Sequence, residues 1–225
     1  MLVREDGDGV LVIGQASHAW LSGQLARAWS PRPSEEVCLA AEQHDVGMAE
    51  WDLRPRLHPS GRPVSFTEME LDEHLRLWSP APDRLLSQSA YAALLVSMHG
   101  CALYEGRASQ PAVAAYLERE HARQERLISM LGADREEVAR DQRLVAAWDA
   151  MSLALCLGWD DYDAGGVTLS GGTASPWPFA VERLTVRCEG RRLTERFETE
   201  EALHAALDAA PRERLEFALA RPGSP

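Results

Sequence analysis

Apolar residues recur at helical spacing through most of the first 157 positions of the chain. In the first such segment, Trp20, Leu21 and Leu25 form the apolar face of a helix that Ser17 is placed to cap and that runs to about Trp29. The proline-rich segment 51–66 predicts an ordered loop instead. The same helical spacing predicts further helices that begin at Ser34 and that cover residues 67–78, 87–105, 110–131 and 135–157.

Alternating or β-rich segments occur at the two ends of the chain. Residues 2–4 and 10–13 read as short strands around the turn Gly7-Asp8-Gly9. Residues 181–188 and 192–197 resemble a hairpin turned at Glu189-Gly190. A short helix over 200–210 and a last strand over 215–219 follow. We therefore expect one domain over residues 1–225, mainly α, with a helical core over 14–160. The flanks 1–13 and 165–225 would supply a small antiparallel β addition.

Composition and charge narrow the classes of protein. The chain has 225 residues, 45% of them hydrophobic, which is enough for a sizeable core. A net charge of −12 without a basic patch argues against nucleic acid and membrane surfaces as partners. The four dispersed cysteines form no CxxC pair, and the acidic start is unlike an export signal. We expect a cytoplasmic location, and a homo-oligomer is compatible with this composition.

Several inward-facing helix positions carry histidine or aspartate. His18 is in line with Leu21 and Leu25, and His44 follows apolar residues three, four and seven positions earlier. His99 ends a similar apolar stripe, and Asp149 interrupts an apolar segment, where a carboxylate needs a partner. Mixed imidazole and carboxylate donors suit Mn, Fe, Co, Ni or Zn better than calcium.

Each of these residues also has a structural interpretation. A single inward histidine is usually a hydrogen-bonded core residue, and Asp149 is placed to accept from a nearby tryptophan or arginine. His74 lies among acidic residues and reads equally as solvated. Trp51 and Phe66 read as core or loop anchors as readily as a wall around a substrate. The positions alone leave these alternatives open.

Seven motifs are spread along most of the chain. They are QASHAWLSGQLA at 15–26, AAEQHDVGM at 40–48, WD at 51–52, GRP at 61–63 with Phe66, YAALLVSMH at 91–99, WDAMSLALC at 148–156 and PWPF at 176–179. On these motifs the chain resembles, nearly from end to end, an uncharacterised bacterial family, domain-of-unknown-function family 3891. Val46 and Met48 depart from the commonest form of that family's pattern, in which a small or acidic residue, glycine and tryptophan follow His-Asp.

The order His18, His44-Asp45, Asp149 also resembles, more distantly, the signature of the HD superfamily of metal-dependent phosphohydrolases. It implies an HD-like helical core in which these four residues bind a divalent transition metal, with one ion or two. It also implies that Asp45 and His99 are catalytic. His74, Trp51, Arg54 and Arg62 are then candidates to bind the substrate, the arginines by gripping an anion.

Three functions are compatible with these resemblances. The first is a metal-dependent phosphohydrolase acting on a small-molecule phosphoester or a nucleotide. The second is a non-catalytic HD-like protein that binds a metal or a ligand. The third is a structural or interaction protein whose polar cluster is held by internal hydrogen bonds. Metal content separates the first two from the third, and turnover separates the first from the second.

Overall fold

The computed structural model describes residues 1–223 and opens with a tight β-hairpin. Its strands are β1 (Leu2–Asp6) and β2 (Gly9–Ile13), paired antiparallel as the sequence predicted. Gly7 has a φ of +60° in the turn between them, where a side chain would be strained. Residues 224 and 225, the end of the predicted 165–225 flank, lie outside the described residues.

The predicted helices are present with shifted ends, and the two predicted caps differ in outcome. Ser34 caps its helix, accepting a hydrogen bond from the Val37 amide at 3.4 Å. Ser17 is not a cap, because its helix begins at Gln15 and its hydroxyl bonds the Glu189 backbone at 2.9 Å. None of the described helices has the length and apolar character needed to cross a bilayer. The helices are α1 (Gln15–Ala28), α2 (Glu35–Gln43), α3 (Ala49–Leu53), α4 (Leu71–Trp78), α5 (Ala81–Leu85), α6 (Ala90–Tyr104), α7 (Pro111–Leu131), α8 (Arg135–Leu157) and α9 (Glu200–Ala209).

The sheet is larger than the sequence predicted. Three short strands follow α8, namely β3 (Tyr162–Asp163), β4 (Thr168–Ser170) and β5 (Thr173–Ser175). Two long strands follow them, β6 (Arg183–Leu193) and β7 (Glu213–Ala220). Within residues 1–223 these join the hairpin in one curled seven-stranded sheet of order β1-β2-β6-β7-β5-β4-β3. Strands β5 and β7 pair parallel, and the other neighbours pair antiparallel, so the sheet is mixed.

The expected fold class was therefore wrong. The chain does not have a mainly α, HD-like helical core over 14–160 with a small antiparallel β addition from the flanks 1–13 and 165–225. The chain is 53% helical and 18% strand, and the described strands form one mixed, curled sheet of seven strands. The reason lies in β3, β4 and β5, since strands of two or three residues beside glycine pairs are too short to show an alternating pattern.

The predicted hairpin at Glu189-Gly190 was also wrong. Strand β6 continues straight through these residues, pairing with β2 at one end and with β7 along most of its length. A Cβ on Gly190 would lie 3.0 Å from Leu215 Cδ1 and 3.1 Å from Leu11 Cδ1. The absence of a side chain at Gly190 thus allows close packing inside the sheet, and the glycine does not form a turn.

The two faces of the hairpin strand β2 pack against different layers. Leu11 and Ile13 join the main core with the long helices, where Trp148 of α8 is fully buried. Val10 and Val12 face the other way and pack with Leu203 and Leu207 of α9, among others. This alternation follows from the period of two along a strand. The layer of α1, α2, α6 and α8 on one face of the sheet holds the candidate site.

Candidate functional site

Two histidines and two aspartates converge at the meeting point of three helices. His18 lies on α1, His44 ends α2, Asp45 begins the turn that follows, and Asp149 lies on α8. The side chains of His18, His44 and Asp45 are at most 5% exposed, and that of Asp149 is 13% exposed. The inward direction of His18, His44 and Asp149 follows from their positions on apolar helix stripes, and Asp45 directly follows His44 in the turn.

The donor atoms of these side chains face one another at short range. His18 Nε2 lies 2.6 Å from Asp45 Oδ2, and His44 Nε2 lies 3.6 Å from the same oxygen. His44 Nε2 also lies 3.2 Å from Asp149 Oδ1. One donor atom from each of His18, His44 and Asp149 can be chosen so that all lie within 4.8 Å of one another. Asp45 contacts His18 directly, so the four side chains lie together in one cluster.

We call His18, His44, Asp45 and Asp149 the His–Asp cluster. Hydrogen bonds to residues outside it orient both imidazoles. His44 Nδ1 donates to the Ala41 carbonyl at 2.9 Å, which directs Nε2 at the carboxylates. That Nε2 is buried and has no hydrogen-bond partner of good geometry among the described residues. His18 Nδ1 lies 2.8 Å from Ser152 Oγ, which donates its own proton to the Asp149 carbonyl. His44 thus presents Nε2 to Asp149, and His18 presents Nε2 to Asp45, while His18 Nδ1 lies 3.8 Å from Asp149 Oδ1. Histidine ligands of metals are oriented in the same way, through a hydrogen bond to the other ring nitrogen.

The charges in the His–Asp cluster favour a cation. Burial alone lowers the pKa of His44, but Asp149 and Asp45 outweigh it and raise that pKa to about 9. Burial alone raises the pKa of Asp149, but His44 and His99 outweigh it and hold that pKa well below its usual value. Two buried carboxylates this close together need a positive charge between them, whether it is a proton or a metal ion.

The donor set and its spacing fit one transition-metal ion. Bonds of about 2.0–2.2 Å to nitrogen and oxygen place neighbouring donors about 2.9–3.4 Å apart. The separations of 2.6, 3.2 and 3.6 Å bracket that range. Two imidazoles and two carboxylates suit Mn, Fe, Co, Ni or Zn. The unpartnered Nε2 of His44 is the atom that such an ion would satisfy.

A cavity of about 270 Å³ opens onto the His–Asp cluster. Its apolar wall is supplied by Phe66, Met69, Leu71, Leu103 and Leu153. Arg107, on the turn after α6, is the single arginine or lysine that lines it within residues 1–223. The other lining side chains are polar or aromatic, namely Gln15, His18, Asp45, Thr67, His74, Trp78, His99, Tyr104 and Asp149. The volume is at the small end of the range for ligand pockets.

The matching family is described as "Protein of unknown function (DUF3891)", and the match covers residues 1–195. The chain belongs to this family. The matched region contains the whole His–Asp cluster and its cavity, and it ends just after β6. No curated protein and no solved structure matches the chain. The family description states no activity, and the more distant HD resemblance is not shown by any of these comparisons.

Two further predicted residues lie in the same cavity. His99, on α6, is 3% exposed, and its Nε2 lies 3.4 Å from Asp149 Oδ2. Its ring packs against that of His44, with centroids 4.9 Å apart. His74, on α4, also lines the cavity. Both are therefore close enough to contact a ligand held at the His–Asp cluster.

Three predicted substrate-binding residues lie elsewhere. Trp51 is 5% exposed and packs in a second apolar cluster with residues of α4 and α7. Arg54 forms a bidentate pair with Asp208 of α9, at 3.0 and 3.1 Å. Arg62 forms one with Glu68, at 2.8 and 2.6 Å. None of the three lines the cavity at the His–Asp cluster, so the prediction that they contact a substrate there is not supported. Both arginines instead form ion pairs, one with a residue distant in sequence and one with a residue six positions away.

The sequence reasoning missed several cavity residues, among them Gln15, Tyr104 and Arg107. Gln15 opens α1, and its buried Oε1 has no partner among the described residues. Tyr104 and Arg107 lie at and beyond the end of α6. Gln15 belongs to the first family motif, which was the available signal. Tyr104 and Arg107 carried no signal, because their relation to the cluster depends on where α6 ends in space.

The pair Arg62–Glu68 holds the turn that carries Phe66 and Thr67 into the cavity wall. The hydrogen bonds from Arg62 lower the pKa of Glu68 from 4.5 to about 2. A carboxylate with a lowered pKa in the folded state stabilises the protein above its unfolded pKa, and this stability is lost as the pH falls. Glu68→Gln should therefore lower the Tm at pH 7 by about 1–3 °C, as for other partly exposed pairs.

That difference should shrink between pH 4.5 and pH 2 and vanish below it. Urea unfolding of both proteins across this range measures it. Arg62→Met is the matched control and should lose a similar amount at pH 7. A difference between the wild type and Glu68→Gln that stays constant down to pH 2 would contradict this role of the pair.

Proposed function

We propose that this protein is a metal-dependent phosphohydrolase acting on a small phosphorylated substrate. The observation that carries the proposal is the convergence of two imidazole nitrogens and two carboxylates on one point, at the wall of a cavity large enough for a small ligand. Buried histidines and aspartates that served only packing would each need a well-formed internal hydrogen bond, yet His44 Nε2, 3.2 Å from Asp149 Oδ1, makes none of good geometry among the described residues.

His18, His44, Asp45 and Asp149 are the proposed ligands of one divalent transition metal. When bound, such an ion lowers the pKa of a water and polarises a phosphoryl oxygen. A second ion has less support, since the two ring nitrogens of His74 are already hydrogen bonded to Trp78 and Tyr104. The proposal therefore takes one ion and leaves His99 as a neighbour of the ligands.

The side chains around the proposed ligands supply the remaining functions. Asp45 lines the cavity and is placed to accept a proton from an attacking water. His99 lies beside Asp149 and is placed to contact the phosphoryl group or to return a proton to the leaving group. Arg107 offsets part of the negative charge of a phosphoester. The apolar wall excludes water from the organic part of the substrate.

The alternative is a non-catalytic protein that binds a metal or a small ligand at the same site. A single lining arginine within residues 1–223 and a net charge of −12 favour this reading, because both weaken the attraction for a phosphate. Metal binding is common to the two functions, and turnover distinguishes them.

The test combines metal content with turnover. The purified chain should bind one equivalent of Mn²⁺, Co²⁺ or Ni²⁺ by calorimetry and release phosphate from members of a panel of small phosphoesters and nucleotides. His99→Gln should retain the metal and lose turnover, because His99 is not among the proposed ligands. Metal binding without turnover on the panel would reject the phosphohydrolase in favour of the binding protein. Absence of metal binding would reject the phosphohydrolase and the metal-binding form of the alternative.

A further inference from the structure

A hydrogen-bond chain borders the same cavity as the His–Asp cluster. Trp78 Nε1 donates to His74 Nε2 at 3.1 Å. His74 Nδ1 lies 2.5 Å from the hydroxyl oxygen of Tyr104. All three side chains line the cavity, and Tyr104 is 2% exposed overall. The chain joins α4 to the end of α6.

The first bond decides which nitrogen of His74 carries the proton. An indole N–H can only donate, so the His74 Nε2 that receives it must be unprotonated. Burial lowers the pKa of His74, which keeps the ring neutral at pH 7. A neutral imidazole carries one proton, and here that proton must be on Nδ1. His74 Nδ1 therefore donates to the Tyr104 oxygen.

The second bond in turn decides what the Tyr104 hydroxyl can do. Its oxygen already accepts from His74, so its own proton is free to be donated. The hydroxyl makes no other hydrogen bond among the described residues. Burial raises the pKa of Tyr104, so the phenol keeps this proton. The ring is held by Tyr116, with the two centroids 5.5 Å apart, and Tyr104 lines the cavity.

We propose that Tyr104 is a ligand-binding residue that donates a hydrogen bond to an anionic oxygen of a small phosphomonoester, with His74 and Trp78 as positioning residues. This rests on the proposed function, because the phosphoryl group is taken to lie between the His–Asp cluster and Arg107. A phosphomonoester has enough free oxygens to meet the metal, the tyrosine and the arginine together. A cavity of about 270 Å³ with an apolar wall favours a compact organic group over a whole nucleotide.

The positioning role is tested by the protonation of His74. In a ¹⁵N-labelled sample at pH 7, the two ring nitrogens of His74 should show a protonated Nδ1 and an unprotonated Nε2. Trp78→Phe removes the donor that enforces this tautomer and should increase the Nε2–H form. A wild-type ring that is protonated on Nε2, alone or together with Nδ1, would overturn the inference whether or not the protein binds a metal.

The binding role is tested with inorganic phosphate and the Mn²⁺-loaded protein. Tyr104→Phe should weaken phosphate binding by about tenfold to hundredfold, as for other hydrogen bonds to charged groups, and leave the Mn²⁺ affinity unchanged. Tyr116→Phe is the matched control, since it removes a hydroxyl from a neighbouring buried tyrosine that does not line the cavity. It should bind phosphate like the wild type.

The outcomes separate this inference from the proposed function. Normal Mn²⁺ binding with equal phosphate affinities in the wild type and Tyr104→Phe would overturn the role of Tyr104 and leave the metal site standing. Normal Mn²⁺ binding with no phosphate binding in the wild type would also overturn it. Failure to bind Mn²⁺ would instead reject the proposed function and, with it, the ligand named here.

Discussion

Replacing Asp149 with asparagine should weaken the binding of a divalent transition metal by more than about hundredfold. Loss of a partner that only supports a metal ligand typically costs 10- to 100-fold in affinity, and Asp149 is a proposed ligand itself. Its carboxylate lies 3.2 Å from His44 and 3.4 Å from His99, so it also carries much of the negative charge at the site. Asparagine keeps the size of the side chain and removes that charge. Calorimetric titration with Mn²⁺ or Co²⁺ measures the change.

The same substitution should remove the thermal stabilisation that the metal provides. A metal present at about 100 times its Kd stabilises the folded state by about 2.7 kcal/mol. In a domain of this size that corresponds to roughly 5–10 °C in Tm. The metal-free protein should also lose stability, since His44 and His99 hold the pKa of Asp149 well below its usual value, but the metal-loaded protein should lose more, by the stabilisation that the metal provides. Equal losses of Tm with and without metal would reject the ligand role.

Asp141→Asn is the matched control for that experiment. Asp141 is also a buried aspartate on α8, but it accepts from the Tyr91 hydroxyl at 2.8 Å and pairs with Arg140. Its replacement should destabilise the metal-free and the metal-loaded protein equally, because a structural carboxylate acts in both forms. The metal affinity of this variant should remain that of the wild type.

Replacing Ser152 with alanine should weaken metal binding by about tenfold to hundredfold without removing any ligand. The Ser152 hydroxyl lies 2.8 Å from His18 Nδ1 and donates to the Asp149 carbonyl at 2.8 Å. It therefore holds the ring whose Nε2 faces the His–Asp cluster. Without it, the buried His18 Nδ1 loses its partner and the ring is free to turn.

Substitutions of two other serines serve as controls for this prediction. Ser22 bonds Ser152 at 2.9 Å, one step further from the histidine, so Ser22→Ala should have a smaller effect. Ser97 is equally buried but bonds Glu120 at 2.9 Å, away from the cluster, so Ser97→Ala should leave the metal affinity unchanged. Equal effects of Ser152→Ala and Ser97→Ala would contradict the orienting role. The affinities are measured by the same titration.

The local pattern of the sequence was sufficient for the direction of the site residues. His18, His44 and Asp149 interrupt apolar helix stripes, and the structure buries all three at one place. Direction can be read locally because the helical period relates a residue to neighbours three and four positions away. The same period located α1, α6, α7 and α8 to within a few residues of their observed ends.

The partners of the charged loop residues could not be read in this way. Arg54 and Arg62 look available in the sequence, yet Asp208 and Glu68 occupy them. Asp208 is 154 residues from Arg54, and only the docking of α9 against the sheet brings the two together. Electrostatic pairing depends on distance in space, and sequence separation carries no information about it.

The sequence by itself determined the helical layer, the first hairpin and the inward direction of the histidines and aspartates, because those features follow from periodicity and turn chemistry over a few residues. The tertiary structure alone decided the sheet, the cavity and the chain of Trp78, His74 and Tyr104. Strand β5 meets β7 through a single parallel pair, Thr173 and Ala220, which no local pattern encodes. His74 and Tyr104 are 30 residues apart and become partners only when α4 packs beside the end of α6. The local sequence decides which side chain stands at each position. The packing of distant segments decides its hydrogen-bond partner, and therefore which atom of the pair carries the proton.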